Sequence, residues 1–206
     1  MSGVSKAIVQ PLLSWYDAGH RDLPWRSEPA PYRVWVSEIM LQQTRVEAVR
    51  GYFSRWMNAL PDIPALAAAD EAVYTKLWEG LGYYSRVRNL HRAAVLLCEE
   101  YGGELPADYD RLLALPGVGE YTAGAVASIA FGLPVPAVDG NVLRVAARLD
   151  NDFTPITDAK FKKQTRERFA ALMPSDRPGD LNQSLMELGA TVCLPNGAPR
   201  CDDCPI

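Results

Sequence analysis

The residue that asks most of its surroundings in this 206-residue chain is Glu38. The run Val34-Trp35-Val36-Ser37-Glu38-Ile39-Met40-Leu41 is apolar in nearly every direction around a helix, with Val34 and Leu41 at i−4 and i+3 on the carboxyl's own face. A carboxylate there is costly unless paired, and desolvation raises its pKa, which is how an acid keeps a proton near neutral pH. The same residues also allow a structural Glu satisfied by a backbone or arginine partner. A second feature, Leu115-Pro116-Gly117-Val118-Gly119, lies between two helical patterns. Proline fixes one φ and the glycines permit positive φ, so the chain can turn tightly and aim its amides outward at the start of the next helix. Such a helix, hairpin and helix suits a DNA phosphate whatever the base sequence, although short Gly-rich turns between helices are also common without that use. Third, Cys193, Cys201 and Cys204 crowd the C-terminal end, a metal-site pattern more than a disulfide framework. His20 and His91 are far from them in sequence, and Cys98, set in an apolar helical stretch, reads as a buried core thiol.

The elements that must position these residues are helical. Apolar periodicity predicts helices over 4–18, 33–43, 45–59, 71–79, 85–101, 108–114, 120–131, 141–149, 158–173 and 180–192. Thr44, Asp70, Asp139, Thr157 and Asp180 are the expected N-caps, and Leu60-Pro61-Asp62-Ile63-Pro64 reads as a short turn. Strand signals are scarce, and no repeat or low-complexity linker appears, so the fold class is all-α. Hydrophobic residues make up 48% and charged residues 22%, ordinary globular values. No apolar run is long enough for a bilayer, and Met1-Ser2-Gly3-Val4 lacks the start of a signal peptide. A soluble, monomeric, intracellular protein without a membrane partner is expected, in the cytoplasm or at the nucleoid if bacterial. The net charge of −4 and pI near 5.3 speak weakly against nucleic acid. Basic residues nevertheless gather at Arg45, Arg50 and Arg55, at Arg86, Arg88 and Arg92, and at Lys160, Lys162, Lys163, Arg166 and Arg168. Each group is also readable as a solvated helix face, so charge alone decides nothing.

Leu115-Pro116-Gly117-Val118-Gly119, followed about twenty residues later by Val138-Asp139-Gly140-Asn141-Val142, resembles the helix-hairpin-helix DNA glycosylases. Asp139 matches the catalytic aspartate of that family and can also cap the helix that follows. Within the family, Ser37-Glu38-Ile39-Met40-Leu41-Gln42-Gln43-Thr44 resembles the signature of the A/G-specific adenine glycosylases of the MutY type. Leu23-Pro24-Trp25-Arg26 and the stretch from Leu81-Gly82-Tyr83-Tyr84-Ser85-Arg86 to Leu90 do so too, and the likeness runs from about residue 10 to the end.

The resemblance implies a substrate of duplex DNA with adenine mispaired with 8-oxoguanine or guanine, the adenine being flipped out of the stack. Gln42, Gln43 and Tyr83, with Leu41 nearby, would fill the gap; Leu41 and Tyr83 are otherwise readable as core residues. Arg26, Arg86, Gly117, Val118 and Gly119 join the expected DNA contacts. Glu38 would protonate adenine so that it leaves neutral, Asp139 would stabilise or transiently trap the sugar cation, and Asn141 would orient the carboxylate or the water. The two acids then need separated pKa values, Glu38 raised and Asp139 lowered by helix N-terminal amides. Relatives that also cut the strand carry a lysine after the hairpin, where this chain has Tyr121, and no lysine lies between Lys76 and Lys160. A monofunctional glycosylase leaving an abasic site is expected, with Tyr121 near Glu38.

By the same resemblance Cys193, Cys201 and Cys204 are ligands of a [4Fe–4S] cluster whose fourth cysteine is expected beyond Ile206, together with a domain that recognises 8-oxoguanine; zinc on four thiolates is the other reading. A monovalent or divalent cation on the carbonyls of Leu113, Leu115 and Val118 is also implied. The implied architecture is two-lobed: residues 27–131 carry Glu38 and the hairpin, and residues 1–26 with 132–206 carry Asp139 and the cluster loop, with DNA across the cleft. Three rivals remain. A mismatch thymine glycosylase could share the hairpin, Asp139 and Tyr121; an endonuclease III-like lyase lacks its lysine here; a silent DNA-binding module would not need both acids.

Overall fold

Proline at a first helical position and an unbroken apolar run make the helix that carries Glu38. It covers Pro31–Leu41, with Pro31 supplying a preset φ where no amide donor is needed. In a computed structural model, which describes residues 5–206, the chain forms eleven α-helices among the described residues and no strand. Residues 1–4, including Val4 where the first expected helix begins, lie outside the described residues. In chain order the helices are α1 (Val9–Gly19), α2 (Pro31–Leu41), α3 (Val46–Ala59), α4 (Ile63–Ala67), α5 (Glu71–Trp78), α6 (Ser85–Tyr101), α7 (Tyr109–Leu113), α8 (Glu120–Phe131), α9 (Gly140–Leu149), α10 (Ala159–Ala170) and α11 (Pro178–Thr191). No helix of the described residues is long and apolar enough to cross a membrane.

The chain divides into two units, Asp22–Val126 and the pair of segments Met1–Arg21 and Ala127–Ile206. In the first unit, α2 packs on α3 and α6, and α6 receives α4 and α5. Its core is aromatic: Trp35, Phe53, Trp56 and Trp78 are almost fully buried. Buried ring N–H and O–H groups need partners. The Trp56 indole donates to the Tyr32 hydroxyl at 3.0 Å, and Tyr32 donates to the Leu60 carbonyl at 2.9 Å. In the second unit, α11 is the central element, packed on α1 and α9 around Leu12, Leu13, Val142, Val145, Leu185 and Leu188. Glu187 on α11 is 2% exposed, and Arg21 closes on it with a fork of bonds at 2.6 and 2.8 Å.

Several expected ends move, each for a local reason. The helix expected over 33–43 starts two residues earlier and stops at Leu41, because Gln43 takes a left-handed φ of 56°. Thr44 does not cap α3; its hydroxyl turns back to the Gln42 carbonyl and Arg45 occupies the cap position. Asp158, not Thr157, caps α10 by accepting from Phe161 N–H. α11 begins at Pro178, which places Asp180 inside its first turn. The proline-punctuated turn at 60–64 runs straight into α4, since Asp62 accepts from the Ala65 amide at 2.8 Å. Cys98 is half-buried, not a fully buried core thiol.

Candidate active site

Within the Asp22–Val126 unit the chemistry gathers where α2 ends and α8 begins. Glu38 is 6% exposed, and Tyr121, in the first turn of α8, donates its hydroxyl to Glu38 Oε2 at 2.6 Å. That length is at the short end of the ordinary O–H···O range. One residue on, Thr122 accepts from the Gln42 side-chain amide at 3.3 Å, so the two helix ends are tied twice. Tyr121 therefore stands beside Glu38, and the tyrosine leaves no amine at that position.

Beyond Leu41, which is half-buried, the backbone becomes unusual. Gln42 is half-buried and Gln43 exposed, while Tyr83 is 64% exposed and holds a φ of 46°. A left-handed backbone costs a residue with a Cβ about 1–2 kcal/mol, so two such exposed residues are held there by their neighbours. Arg86, at the start of α6, turns its guanidinium onto the carbonyls of Ile39, Met40, Gln42, Leu81 and Gly82. Arg26 is half-buried, with its amide on the Leu23 carbonyl.

The hairpin follows α7. Gly117 has a φ of +77°, and a Cβ there would lie 2.6 Å from Asn89 Cβ, so both conformation and space demand glycine. Gly117 and Gly119 are exposed, but Val118 is buried and its amide turns inward to the Leu115 carbonyl at 3.1 Å. Of the amides expected to face a phosphate, that of Val118 is thus engaged within the turn. Leu113 is half-buried, and the Leu115 oxygen already accepts the Val118 amide.

In the other unit, Asp139 caps α9, accepting from the Val142 amide at 2.8 Å and from Asn141 Nδ2 at 2.7 Å. Desolvation pushes its carboxyl above the usual aspartate value, against the pull of those hydrogen bonds and of the Arg144 charge. The expected lowering is therefore reversed: the amides are present, but burial outweighs them. Asn141 is itself fixed, its Oδ1 accepting from Arg144 Nη2 at 2.9 Å. Arg144 also donates to the Gly189 carbonyl at 2.7 Å and the Cys193 carbonyl at 3.0 Å.

Residues 36–173 match the HhH-GPD superfamily of base excision DNA repair proteins. The chain belongs to this superfamily. An adenine DNA glycosylase of Mus musculus is 48% identical over 95% of this chain and 39% of its own length. One of Mycolicibacterium smegmatis is 44% identical over 95% of this chain and 66% of its own. The chain thus spans about two fifths of the mouse relative. A solved thermostable thymine-DNA glycosylase matches with a TM-score of 0.87 at 28% identity, over 97% of this chain and 91% of that one.

For a superfamily member, several positioning residues carry no motif signal of their own. Asn182 on α11 is 1% exposed and pins the extended segment before Asp139: it accepts from Ala137 N–H and donates to Ser128 Oγ and the Val135 carbonyl. Gly189, also on α11, packs against Asn141 so closely that a Cβ would lie 2.5 Å from Asn141 Cβ. Arg144 was within reach of sequence reasoning, since it lies three residues after Asn141 on the same helix face. The glycine and Asn182 were not, because their partners are more than forty residues away.

The three C-terminal cysteines line one cavity with Val145, Arg148 and Ile206. Cys193 Sγ accepts from Arg148 at 3.2 Å, Cys204 Sγ donates to the Ile206 carbonyl at 3.1 Å, and Cys201 is exposed. Among the described residues, no three His, Cys, Asp or Glu side chains are arranged to hold a metal ion. A [4Fe–4S] cluster takes four thiolates, and these three line a single cavity.

Proposed function

We propose that the protein is a monofunctional adenine DNA glycosylase, releasing adenine mispaired with 8-oxoguanine or guanine in duplex DNA by hydrolysis of the N-glycosidic bond. One observation carries this reading: the buried Glu38 carboxyl receives the Tyr121 hydroxyl at 2.6 Å, at the position where strand-cutting relatives place an amine.

The chemistry divides between the two acids. Adenine leaves poorly as an anion, so a proton delivered to its ring lowers the barrier to departure. Glu38 is the group that delivers that proton, with the Tyr121 hydroxyl holding its carboxyl in place through Oε2. The sugar becomes oxocarbenium-like, and the Asp139 carboxylate, oriented by Asn141 and the Val142 amide, stabilises it until water adds. The products are free adenine and an abasic site. Without a lysine beside the hairpin no Schiff base forms, so the strand stays intact. Gln43 and Tyr83, exposed on left-handed turns, are suited to fill the space a flipped nucleotide leaves. The Leu41-Gln42-Gln43-Thr44 stretch after Glu38 favours adenine over thymine as the base released.

The test is base release by the full-length protein from duplexes carrying A opposite 8-oxoguanine, T opposite G, or an oxidised pyrimidine, scored with and without alkali. Adenine release with strand cutting only after alkali is expected, and Glu38→Gln abolishes it while DNA binding persists. Cutting without alkali refutes the monofunctional reading. Thymine release without adenine release refutes the substrate, and an active Glu38→Gln refutes the assigned acid.

A further inference from the structure

Gln43 and Tyr83 share more than exposure and a left-handed backbone. Each follows a peptide whose carbonyl is held by the same side chain. Arg86 Nη1 donates to the Gln42 carbonyl at 2.6 Å, and also to those of Ile39 and Met40 at 2.9 and 3.2 Å. Its Nη2 donates to the Leu81 and Gly82 carbonyls at 2.9 and 3.2 Å. The peptide entering Gln43 and the peptide entering Tyr83 are thereby fixed by two nitrogens of one planar group. Nη1 also satisfies the last carbonyls of α2, where a helix leaves acceptors without partners and its dipole favours a cation. The guanidinium carbon lies 5.3 Å from the Trp78 ring and 5.6 Å from the Tyr83 ring, so the aromatic side chain is steadied along with its backbone. Trp78 adds a bond of its own to the Gly82 carbonyl at 3.0 Å.

We infer that Arg86 is a positioning residue that locks Gln43 and Tyr83 in one register, so that they enter the duplex as a single two-pronged wedge. It acts through the backbone and not through DNA contact. The inference rests on the proposed reading of Gln43 and Tyr83 as the residues that fill the vacated stack. Two independently mobile turns would have to be ordered when DNA binds; a bracket holds them ordered beforehand, so less entropy is lost at the encounter. Lysine cannot replace it, because an ammonium is a point donor without the fork that spans both turns.

The experiment follows 2-aminopurine fluorescence, as a measure of unstacking, in a duplex where it replaces the target adenine opposite 8-oxoguanine; single-turnover adenine release is measured beside it. The variants are Arg86→Lys, the pair Gln43→Ala with Tyr83→Ala, and all three together. Arg86→Lys is expected to slow unstacking and adenine release by roughly tenfold or more, the scale of losing hydrogen bonds to a charged donor. Melting temperature falls with the hydrogen bonds lost at the α2 end and the Leu81 and Gly82 carbonyls, while affinity for plain duplex stays near wild type. Added to the wedge pair, Arg86→Lys costs nothing further, because its effect passes through those two residues. Wild-type unstacking by Arg86→Lys, with a defective wedge pair, overturns the bracket and leaves the wedge. Full additivity also overturns it, since Arg86 then acts elsewhere. Normal unstacking by the wedge pair overturns the wedge reading and this inference with it. Should Arg86→Lys fail to fold, Arg86→Gln, whose single amide reaches one turn, must meet the same requirement of non-additivity.

Discussion

Gly189→Ala probes how tightly the Asp139 carboxylate is aimed. The new Cβ would sit 2.5 Å from Asn141 Cβ and 3.2 Å from its Cα. Carbon atoms without a bond between them settle at about 3.5–4.0 Å, so α9 and α11 must part, or Asn141 must move, by about 1 Å. The obstructing atoms are the Cβ and backbone of a helix, not the tip of a flexible chain. Asn141 Nδ2 lies 2.7 Å from Asp139 Oδ2. A shift of about 1 Å away from Asp139 carries that donor to about 3.7 Å, outside hydrogen-bonding range. The loss of a bond to an ionised acceptor is about 1.5–3 kcal/mol, or roughly 10- to 150-fold in a step that relies on the placed carboxylate. Overpacking separately lowers stability by about 1–3 kcal/mol. Single-turnover adenine release and thermal unfolding, measured on the same preparation, separate the two effects. Asn141→Gly removes the obstructing Cβ, so Gly189→Ala in that background should cost little more. Wild-type release and melting by Gly189→Ala would show that the contact does not hold Asn141 in place.

Two further outcomes follow from the hydrogen bonds of the acids. Tyr121→Phe removes the 2.6 Å bond to Glu38 and should slow single-turnover adenine release by roughly tenfold or more without creating strand cutting; an unchanged rate would remove Tyr121 from the mechanism. Because the Asp139 pKa is raised in the folded protein, the native state holds that proton more tightly than the unfolded chain, so its contribution to stability is present below the usual aspartate range and lost as pH rises through the raised value. Asp139→Asn, which can still cap α9, should therefore gain stability relative to wild type between acid and neutral pH in parallel thermal melts. A difference that stays flat with pH, or runs the other way, would refute the desolvation argument.

The parts of this fold that sequence made legible are those set by neighbours along the chain. α6 and α8 occupy the expected spans because their apolar period, their bounding glycines and their neighbouring turns agree. α4 was hidden because proline punctuation around Asp62 reads as a turn until the aspartate is seen to cap a helix. The end of α2 was misplaced because periodicity continues through Gln43, whereas the bonds that stop the helix come from Arg86, more than forty residues on. The same limit explains Asp139. Its capped amides were countable from the local pattern, and they suggested a lowered pKa; the burial that raises it does not show in that pattern.

Residues that touch the reaction and residues that aim them differ in how visible they are, and Arg86 shows why. An arginine in a basic cluster beside a DNA-binding motif invites assignment to phosphate, because charge is the property sequence displays. What decides its use is the supply of acceptors around it, and here five backbone carbonyls, from the end of α2 with Gln42 and from Leu81 and Gly82, converge on one guanidinium. Only folding assembles that set, since the turns are separated by about forty residues of chain. Arg144 repeats the pattern on the other acid: its donors go to Asn141 and to the Gly189 and Cys193 carbonyls. In both places a cation that could have been given to a phosphate is instead surrounded by the protein's own acceptors. The work left to it is geometric: in each case it holds in position the residues proposed to meet the nucleotide.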